Sequence, residues 1–584
     1  MNFKRITLGN LPLAKASDKD ALFVDKTRYI ARLEESELST MLFLRPRRFG
    51  KTFFTRVLYA YYDVAFKDAF ERTFKGSWIH GHKTPKASTY YCLMLDFSGI
   101  DSSSPDRARA SLGLALFRGI FEFSKFHPDK GFSYEQMMKA PREDPESLLA
   151  LFFNNFQYRA KENEWIYVII DEYDHFSNEV LDRDRKAFKN YTSTVSGNEG
   201  LLKRFFSTLK SYSGANWGLP IGRSFVTGVS AVSMDSLTSG FNIATNISAK
   251  SEFNSMVGFT ADELSQVVDE TVDFSRIPGV TKSQIMDIME RYYDGYVFSS
   301  ECDEHVFNTN MCLVFLKNLI DQKHIPYQLE DGSMGEDLGK LQNVMRLSKS
   351  QVADGISSLI LERKPITAQV PKNLNLNQAG DFDRNQLVSF LTYLGFLTFT
   401  PRPGTAGHQI SLEYRPPNEI FFQTFLDYLA LKDGVAIPPD LDLSPMAEDG
   451  DITGLVEAVH AVISDLPSAG FAGFNERALQ MIFYCVIRNG TNKTLRPSFE
   501  YETGDLGRAD LFVENFSDSR IDFILELKYL PKGKCTPAAV NSCVRKAKEQ
   551  LLRYKNAPRI ACRPRVDCWA IVFSGSEAKA VEKA

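Results

Sequence analysis

The sequence predicts an α/β protein with a parallel-sheet core in its N-terminal half and an αβββαβ domain at its C-terminus. Three observations carry this. A short apolar run, 41–44, leads through a basic loop to Gly50-Lys51-Thr52 and then to a helical pattern with Phe54, Val57, Leu58 and Tyr61 on one side. An uninterrupted apolar run, Trp165-Ile-Tyr-Val-Ile-Ile170, ends in Asp171-Glu172, as in a central parallel strand buried on both faces. Beyond residue 470, a helical stripe, three short strands, a second helix and a last apolar strand follow in order.

Composition bounds the class. A chain of 584 residues holds about three or four domains. With 43% hydrophobic and 24% charged residues it is globular material rather than a disordered tail. No apolar run approaches the roughly 20 residues of a membrane span, so no membrane partner is expected. The start, Met1-Asn-Phe-Lys-Arg-Ile-Thr-Leu-Gly, lacks a sustained apolar stretch, and no secretory signal is expected. Eight cysteines without a CxxC pair suggest free thiols in a reducing compartment, the cytoplasm, or the nucleus if the host is eukaryotic. Cys535, Cys543, Cys562 and Cys568 fit no standard zinc spacing.

Taken in order, Leu22-Phe-Val-Asp25-Lys26-Thr27 leads into a helical stretch over 28–33. Strand, Gly-Lys-Thr and helix then form the layout of a P-loop. Loop amides and the helix N-terminus face phosphate oxygens, Lys51 reaches the β/γ-phosphates, and Thr52 ligates Mg²⁺. Arg45 stands where the usual pattern has its first glycine. Tyr90-Tyr-Cys-Leu-Met-Leu-Asp96 is a further strand, and 105–160 is helical. Carboxylates at the end of a central strand sit where open α/β sheets bind ligands. Asp171 is therefore expected to hold Mg²⁺ through water and Glu172 to polarise the attacking water. The polar stretch 182–198 reads as a surface excursion. The strand over 221–230 ends in small polar residues, and Thr227 or Ser230 could sense a γ-phosphate or simply form a Ser/Thr turn.

Phe23-Val-Asp-Lys-Thr, Phe43-Leu-Arg-Pro-Arg-Arg-Phe-Gly-Lys-Thr, Ile170-Asp-Glu-Tyr-Asp174, Thr227-Gly-Val-Ser with the stretch 235–248, Gly258-Phe-Thr and Tyr292-Tyr-Asp-Gly-Tyr-Val-Phe-Ser299 together resemble the predicted AAA-ATPase-like family. The resemblance spans about residues 3–310 and accounts for Arg45. It implies an ATP-binding AAA-like P-loop core over 1–257, a helical lid over 258–310, and a nuclease-like domain at the C-terminus. Arg45, Arg48, Phe49, Gly50, Lys51, Thr52, Asp171 and Thr227 are the nucleotide-binding candidates, with Thr52 and Asp171 on Mg²⁺.

Between the ends, 331–385 is polar and weakly patterned. A helix over 385–394, two alternating runs (395–400 and 409–414) around a Pro/Gly loop, and a helix opening at Asn418 suggest a winged-helix-like connector over 311–440. Arg402 is the one sure positive charge at the hairpin tip, so joining its neighbours suits this module better than binding DNA. Residues 433–452 read as a linker.

The C-terminal part, 453–584, carries the most diagnostic chemistry. Glu476 falls on the buried side of a helix over 474–488, where a charge needs a partner. Strands follow over 498–503, 508–514 and 521–527. Glu526 and Lys528 share one strand face, and Asp510 lies early on the preceding strand. Gln550 accompanies the inward residues of a helix over 538–554, and 567–573 is the last strand. Gly-Arg-Ala-Asp…Glu-Leu-Lys…Gln in this order resembles the PD-(D/E)XK nuclease superfamily, with Ala509 in place of the proline. Asp510 and Glu526 are hard oxygen ligands suited to Mg²⁺. Lys528 would orient a water and offset charge on phosphorus, and Glu476 and Gln550 would complete the shell or position Lys528. From Leu525 onward there are 13 Lys/Arg against 5 Asp/Glu, which suits a phosphate backbone.

The resulting expectation is an ATP- and Mg²⁺-dependent enzyme acting on nucleic acid, DNA by preference, with homo-oligomerisation left open. The alternative is a nucleotide-switched binding protein with an inactive nuclease fold.

Overall fold

Thr40–Leu44 (β1) is buried along its whole length, which only a strand covered on both faces satisfies. In the computed structural model it lies inside a five-stranded parallel sheet with Tyr90–Asp96 (β2), Trp165–Asp171 (β3), Ile221–Gly228 (β4) and Thr245–Asn246 (β5), in the order β2-β3-β4-β1-β5. Every pairing is parallel, so the ends of β1 to β4 open on one edge of the sheet. The structure describes residues 3–6, 20–175, 200–214, 218–230, 243–329, 334–369, 381–400, 412–438, 440–466, 474–490, 494–503, 506–517 and 519–584. The polar excursion at 182–198, part of the family-like stretch at 231–242, and the hairpin loop with Arg402 lie outside the described residues.

The chain divides into two compact units. The first comprises 1–326, 339–356 and 365–421; the second comprises 327–338, 357–364 and 422–584. The segment 311–440 is thus shared between them.

In the first unit, Lys51–Tyr62 (α1) follows β1 and packs on β2 and β3, where Tyr62 meets the rings of Tyr90 and Tyr167. Pro105–Phe126 (α2), started by a Ser104 cap and a proline, packs on β2. The lid expected over 258–310 contains two helices, Ala261–Thr271 and Lys282–Tyr293, each opened by a capping box. Glu263 of the first box also binds Lys26 at 2.6 Å, tying the N-terminal segment to the lid. The winged-helix-like part contains Arg384–Leu394 and an antiparallel sheet. Ile366–Ala368 (β6) and Thr398–Thr400 (β7) flank Leu412–Arg415 (β8). The region 331–385, expected to be weakly patterned, holds helices Met334–Arg346 and Ser350–Leu361. Their buried stripes, Leu341, Val344 and Met345, then Ala353, Ile356 and Ile360, follow helical spacing but are diluted by Gly and Ser.

In the second unit, Leu495–Glu502 (β9), Arg508–Asn515 (β10), Ile521–Tyr529 (β11), Arg565–Ser574 (β12) and Glu577–Lys583 (β13) form a sheet ordered β13-β12-β11-β10-β9. The β11–β12 pair is parallel and the others antiparallel. Helices Glu476–Asn489 (α3) and Pro537–Lys555 (α4) pack on it, so the expected αβββαβ order is present. Ala547, Leu551 and Tyr554 of α4 meet Phe512, Ile524, Cys568 and Ala570 of the strands. The added edge strand β13 was concealed by its charged sequence, which is what an edge tolerates. All eight cysteines are free.

Candidate functional site

The loop between β1 and α1 is shaped by two residues with positive φ, Arg48 (+73°) and Gly50 (+96°). Glycine reaches that region without cost and caps α1; an arginine there is held by its surroundings. Asn310 donates its backbone N–H to the Arg48 carbonyl at 3.1 Å. The Phe49 carbonyl accepts from Gly258 N–H at 3.0 Å and from Thr309 Oγ1 at 3.2 Å, while its ring meets Tyr296 and Phe298 edge-on. The loop is therefore fastened to the lid segment and to residues 309–310.

Lys51 is buried and donates from Nζ to the Arg45 and Pro46 carbonyls at 2.9 and 3.0 Å. Burial lowers its pKa, against the carboxylates of Glu172, Asp171 and Asp174. The Asp171 carboxylate accepts from the Glu172 N–H at 3.0 Å. Burial lifts Asp171 to about 6, with Glu172 adding to the rise and Thr52 and Lys51 opposing it. Glu172 takes φ +55° and places its carboxylate 3.9 Å from His175 Nδ1. Asp174 accepts from Val229 N–H, Ser230 N–H and Ser230 Oγ, and so shapes the turn after β4. A Cβ at Gly228 would collide with this carboxylate, which explains that glycine. Thr227 is fully buried, and its hydroxyl has no hydrogen-bond partner among the described residues.

Beside this loop opens a cavity of about 380 Å³. Arg48, Phe49, Gly50, Lys51, Thr52 and Glu172 line its polar end; Phe23, Val24, Phe53, Val57, Met256, Val257, Phe259 and Leu313 supply an apolar wall. Phosphate-binding groups at one end and an apolar chamber at the other match the two halves of a nucleotide. Arg45 does not line it. Its guanidinium turns inward, donating to the carbonyls of Leu44, Ser248 and Phe253 at 2.7–2.8 Å between the rings of Phe43 and Phe298. Burial lowers its pKa to about 9. The residue in the glycine position thus holds the loop from beneath, and its side chain does not face the cavity.

In the second unit, β10 and β11 pair antiparallel with Leu511 opposite Leu525. One step further places Asp510 opposite Glu526, with side chains on one face. Asp510 Oδ2 accepts from Leu527 N–H at 2.7 Å. Lys528 Nζ lies 2.9 Å from Glu526 Oε1, 3.3 Å from Glu476 Oε1 and 3.7 Å from Asp510 Oδ2. Burial raises the pKa of both Asp510 and Glu526; Glu476 and Glu500 add to the rise of Asp510, Asp510 adds to that of Glu526, and Lys528 opposes both. Lys528 itself is raised, because the three carboxylates outweigh its own burial.

Residues 12–238 match the family model described as Predicted AAA-ATPase, and residues 474–583 match that of the PD-(D/E)XK nuclease superfamily. The chain joins an AAA-ATPase-like domain to a PD-(D/E)XK domain. A curated relative, the "Uncharacterized protein in vnfD 5'region" of Azotobacter chroococcum mcd 1, is 24% identical over 339 residues. That match covers 57% of this chain, and the chain spans 55% of the relative's length.

In the PD-(D/E)XK domain the expected residues converge unequally. Asp510, Glu526 and Lys528 meet directly. Glu476 reaches Lys528 from the first turn of α3, half-exposed ahead of the buried stripe that begins at Leu479, whereas its helical phase had placed it in the core. Gln550 is one step removed: its Nε2 donates at 3.4 Å to the hydroxyl of Tyr554. Tyr554 feels the charges of Glu526 and Asp510 after burial, and its ring lies against Gly507 (φ +105°). Nothing in the sequence singled it out. Glu500, next to the Asp510 position on β9, carries an ion pair with Arg477.

Among the described residues, no three His, Cys, Asp or Glu side chains form a ready cation cage, since Lys528 stands between the acids. The donor set nevertheless fits a small hard cation. Two carboxylates meet at one point, and Glu526 Oε2 is buried without a hydrogen-bond partner. No described helix is long and apolar enough to cross a membrane.

Proposed function

We propose that this protein hydrolyses ATP and cleaves phosphodiester bonds of nucleic acid, DNA before RNA, with Mg²⁺ serving both domains. One observation supports the nuclease half above the rest: Lys528 within reach of Glu526, Asp510 and Glu476 at the meeting of β10 and β11. Mg²⁺ held by Asp510 and Glu526 would polarise the scissile phosphate and lower the pKa of a bound water. Lys528, released from part of its carboxylate contacts, would face the charge that grows on phosphorus. In the ATPase domain, Gly50 and Lys51 bind the phosphates, Thr52 and Asp171 hold the cation, and the apolar wall takes the base. Glu172, at the lip of the cavity, orients the attacking water. Thr227 would donate to the terminal phosphate. Free thiols throughout favour the cytoplasm, or the nucleus in a eukaryotic host. Self-association is left to measurement.

A second reading, a nucleotide-switched binding protein, draws on the same lysine. An ammonium already in contact with three carboxylates would also suit a structural network in an inactive fold. The deciding experiment incubates the purified protein with single- and double-stranded DNA and RNA, with and without ATP, in Mg²⁺ or Mn²⁺. Metal-dependent cleavage is the expected result. ATP turnover with nucleic-acid binding but no cleavage under any divalent metal would leave the second reading standing.

A further inference from the structure

The helix α4 carries more than the core residues of its domain. Arg545, Lys546, Arg553 and Lys555 are all exposed on it, and none forms an ion pair among the described residues. Lys548, in contrast, is bound to Glu582 at 2.9 Å. At about 100° per residue these four free cations fall into two pairs. Lys546 and Arg553 stand four before and three after Gln550, its immediate neighbours on the helix surface. Arg545 and Lys555 stand five before and five after it, roughly 140° away around the helix.

Gln550 marks the side that meets the carboxylates. It donates to the Tyr554 hydroxyl, and the Tyr554 ring lies against Gly507 and packs in one cluster with Ala509, the residue before Asp510. Lys546 and Arg553 therefore bracket the strip of α4 nearest the candidate cleavage centre. They are about 10.5 Å apart along the axis and have long side chains free to converge. The carboxylates nearby repel an acidic protein surface and a nucleic acid alike, so the choice between them rests on the spacing of the partner's charges. A phosphate backbone suits the pair better, because its charges are regularly spaced and its scissile group must approach the acids.

We propose that the edge of α4 formed by Lys546, Gln550 and Arg553 is the track on which one strand of the nucleic acid lays its phosphates beside the carboxylates. This rests on the nuclease reading of the domain. The track sets where the strand runs and hence which phosphodiester reaches Asp510 and Glu526.

The test uses the full chain, a fluorescent 30-base-pair DNA duplex and its single strand, in EDTA so that nothing is cut. Lys546→Glu/Arg553→Glu is compared with Arg545→Glu/Lys555→Glu, which makes the same change in net charge on the far side. For the first variant, affinity should fall about 10-fold or more. Its dependence on salt should flatten by about two units of slope, one per lost phosphate contact. The second variant should keep its slope within one unit. All four side chains are exposed, and unchanged circular dichroism and unchanged ATP turnover check the fold. Equal losses in both variants, or none in the first, would overturn the track. Tighter or equally salt-dependent binding of polyglutamate would reassign the edge to an acidic protein. A wild-type protein that binds no DNA or RNA would instead remove the nuclease reading on which the track rests.

Discussion

Each domain sets a lysine near carboxylates at the working edge of a sheet, but the two lysines are held in different ways. Lys51 rests on carbonyls of its own loop, 2.9 and 3.0 Å away, beside a cavity of about 380 Å³. Lys528 rests on the carboxylates themselves, nearest at 2.9 Å. The first site is arranged around a space, with its lysine held on loop carbonyls at the edge of that space. The second is arranged around mutual cancellation of charge, so a metal must compete with an ammonium for the same oxygens. A ligand therefore adds to the first site and rearranges the second.

The largest effects should separate the two. Lys51→Ala should abolish ATP binding, with affinity down 100-fold or more, and leave duplex binding by the C-terminal domain intact. Glu172→Gln should keep ATP affinity and stop turnover. Asp510→Ala and Lys528→Ala should each abolish cleavage, the latter through loss of about 3 kcal/mol of transition-state stabilisation. The two differ in their metal dependence. Added Mn²⁺ should partly rescue Asp510→Ala, which has lost a ligand. Lys528→Ala should bind Mn²⁺ more tightly than wild type, by calorimetry, yet stay inactive. Weaker Mn²⁺ binding by Lys528→Ala would break the contrast between the two lysines.

Next in size is Arg45. Replacing it by Gly would restore the usual P-loop residue, but here it would remove a buried guanidinium and strand the carbonyls of Leu44, Ser248 and Phe253. A loss of about 3 kcal/mol in unfolding free energy is expected, without any gain in ATP affinity. A stable variant with tighter ATP binding would show that arginine is a damaged glycine rather than a strut.

Acidity should touch both sites in the same sense. Asp171 is raised to about 6, and Asp510 and Glu526 are raised by burial first and by neighbouring carboxylates second. A carboxyl raised in the folded state adds stability that is full below its unfolded pKa of about 4 and is lost as pH climbs through the folded value. A divalent cation favours the deprotonated forms and so offsets that loss. Thermal stabilisation by Mn²⁺ should therefore grow between pH 5.5 and 8, with cleavage growing alongside it. Lys528 stays charged throughout this window and contributes no slope. A Mn²⁺ shift that is flat or falls with pH would mean that these carboxylates are not the ligands.

Much of this was legible in the chain because strands buried on both faces leave continuous apolar runs, and the carboxylates close those runs at β2 and β3. The five chemistry-bearing residues of the PD-(D/E)XK domain could be named because alternation along β11 puts Glu526 and Lys528 on one face. Periodicity did not say where a helix sits on a sheet, so Glu476 seemed buried and Tyr554 was not singled out. It said nothing of a guanidinium folding back under its own loop at Arg45. The apolar wall of the cavity was also hidden. It is assembled from Phe23, Phe53, Met256 and Leu313, whose contacts span nearly 300 residues.

The smallest expected effect bears most directly on how the first site senses its ligand. Thr227 ends β4 between β1 and β3, fully buried, with a hydroxyl that has no hydrogen-bond partner among the described residues. A plain turn hydroxyl would bond a nearby polar group, as the hydroxyl of Ser230, three residues on, bonds the Asp174 carboxylate. A buried donor without a partner costs about 1 kcal/mol or more. Valine has nearly the same shape and no hydroxyl. Thr227→Val should therefore make the nucleotide-free protein about 1 kcal/mol more stable by thermal or urea unfolding. If the hydroxyl waits for the terminal phosphate, the same change should slow ATP turnover roughly 10-fold while ADP affinity stays as it was. The two outcomes belong together: stability gained without ligand, turnover lost with it. A less stable Thr227→Val with normal turnover would make the hydroxyl part of the packing. The sensing role would then pass to another residue at the end of the sheet.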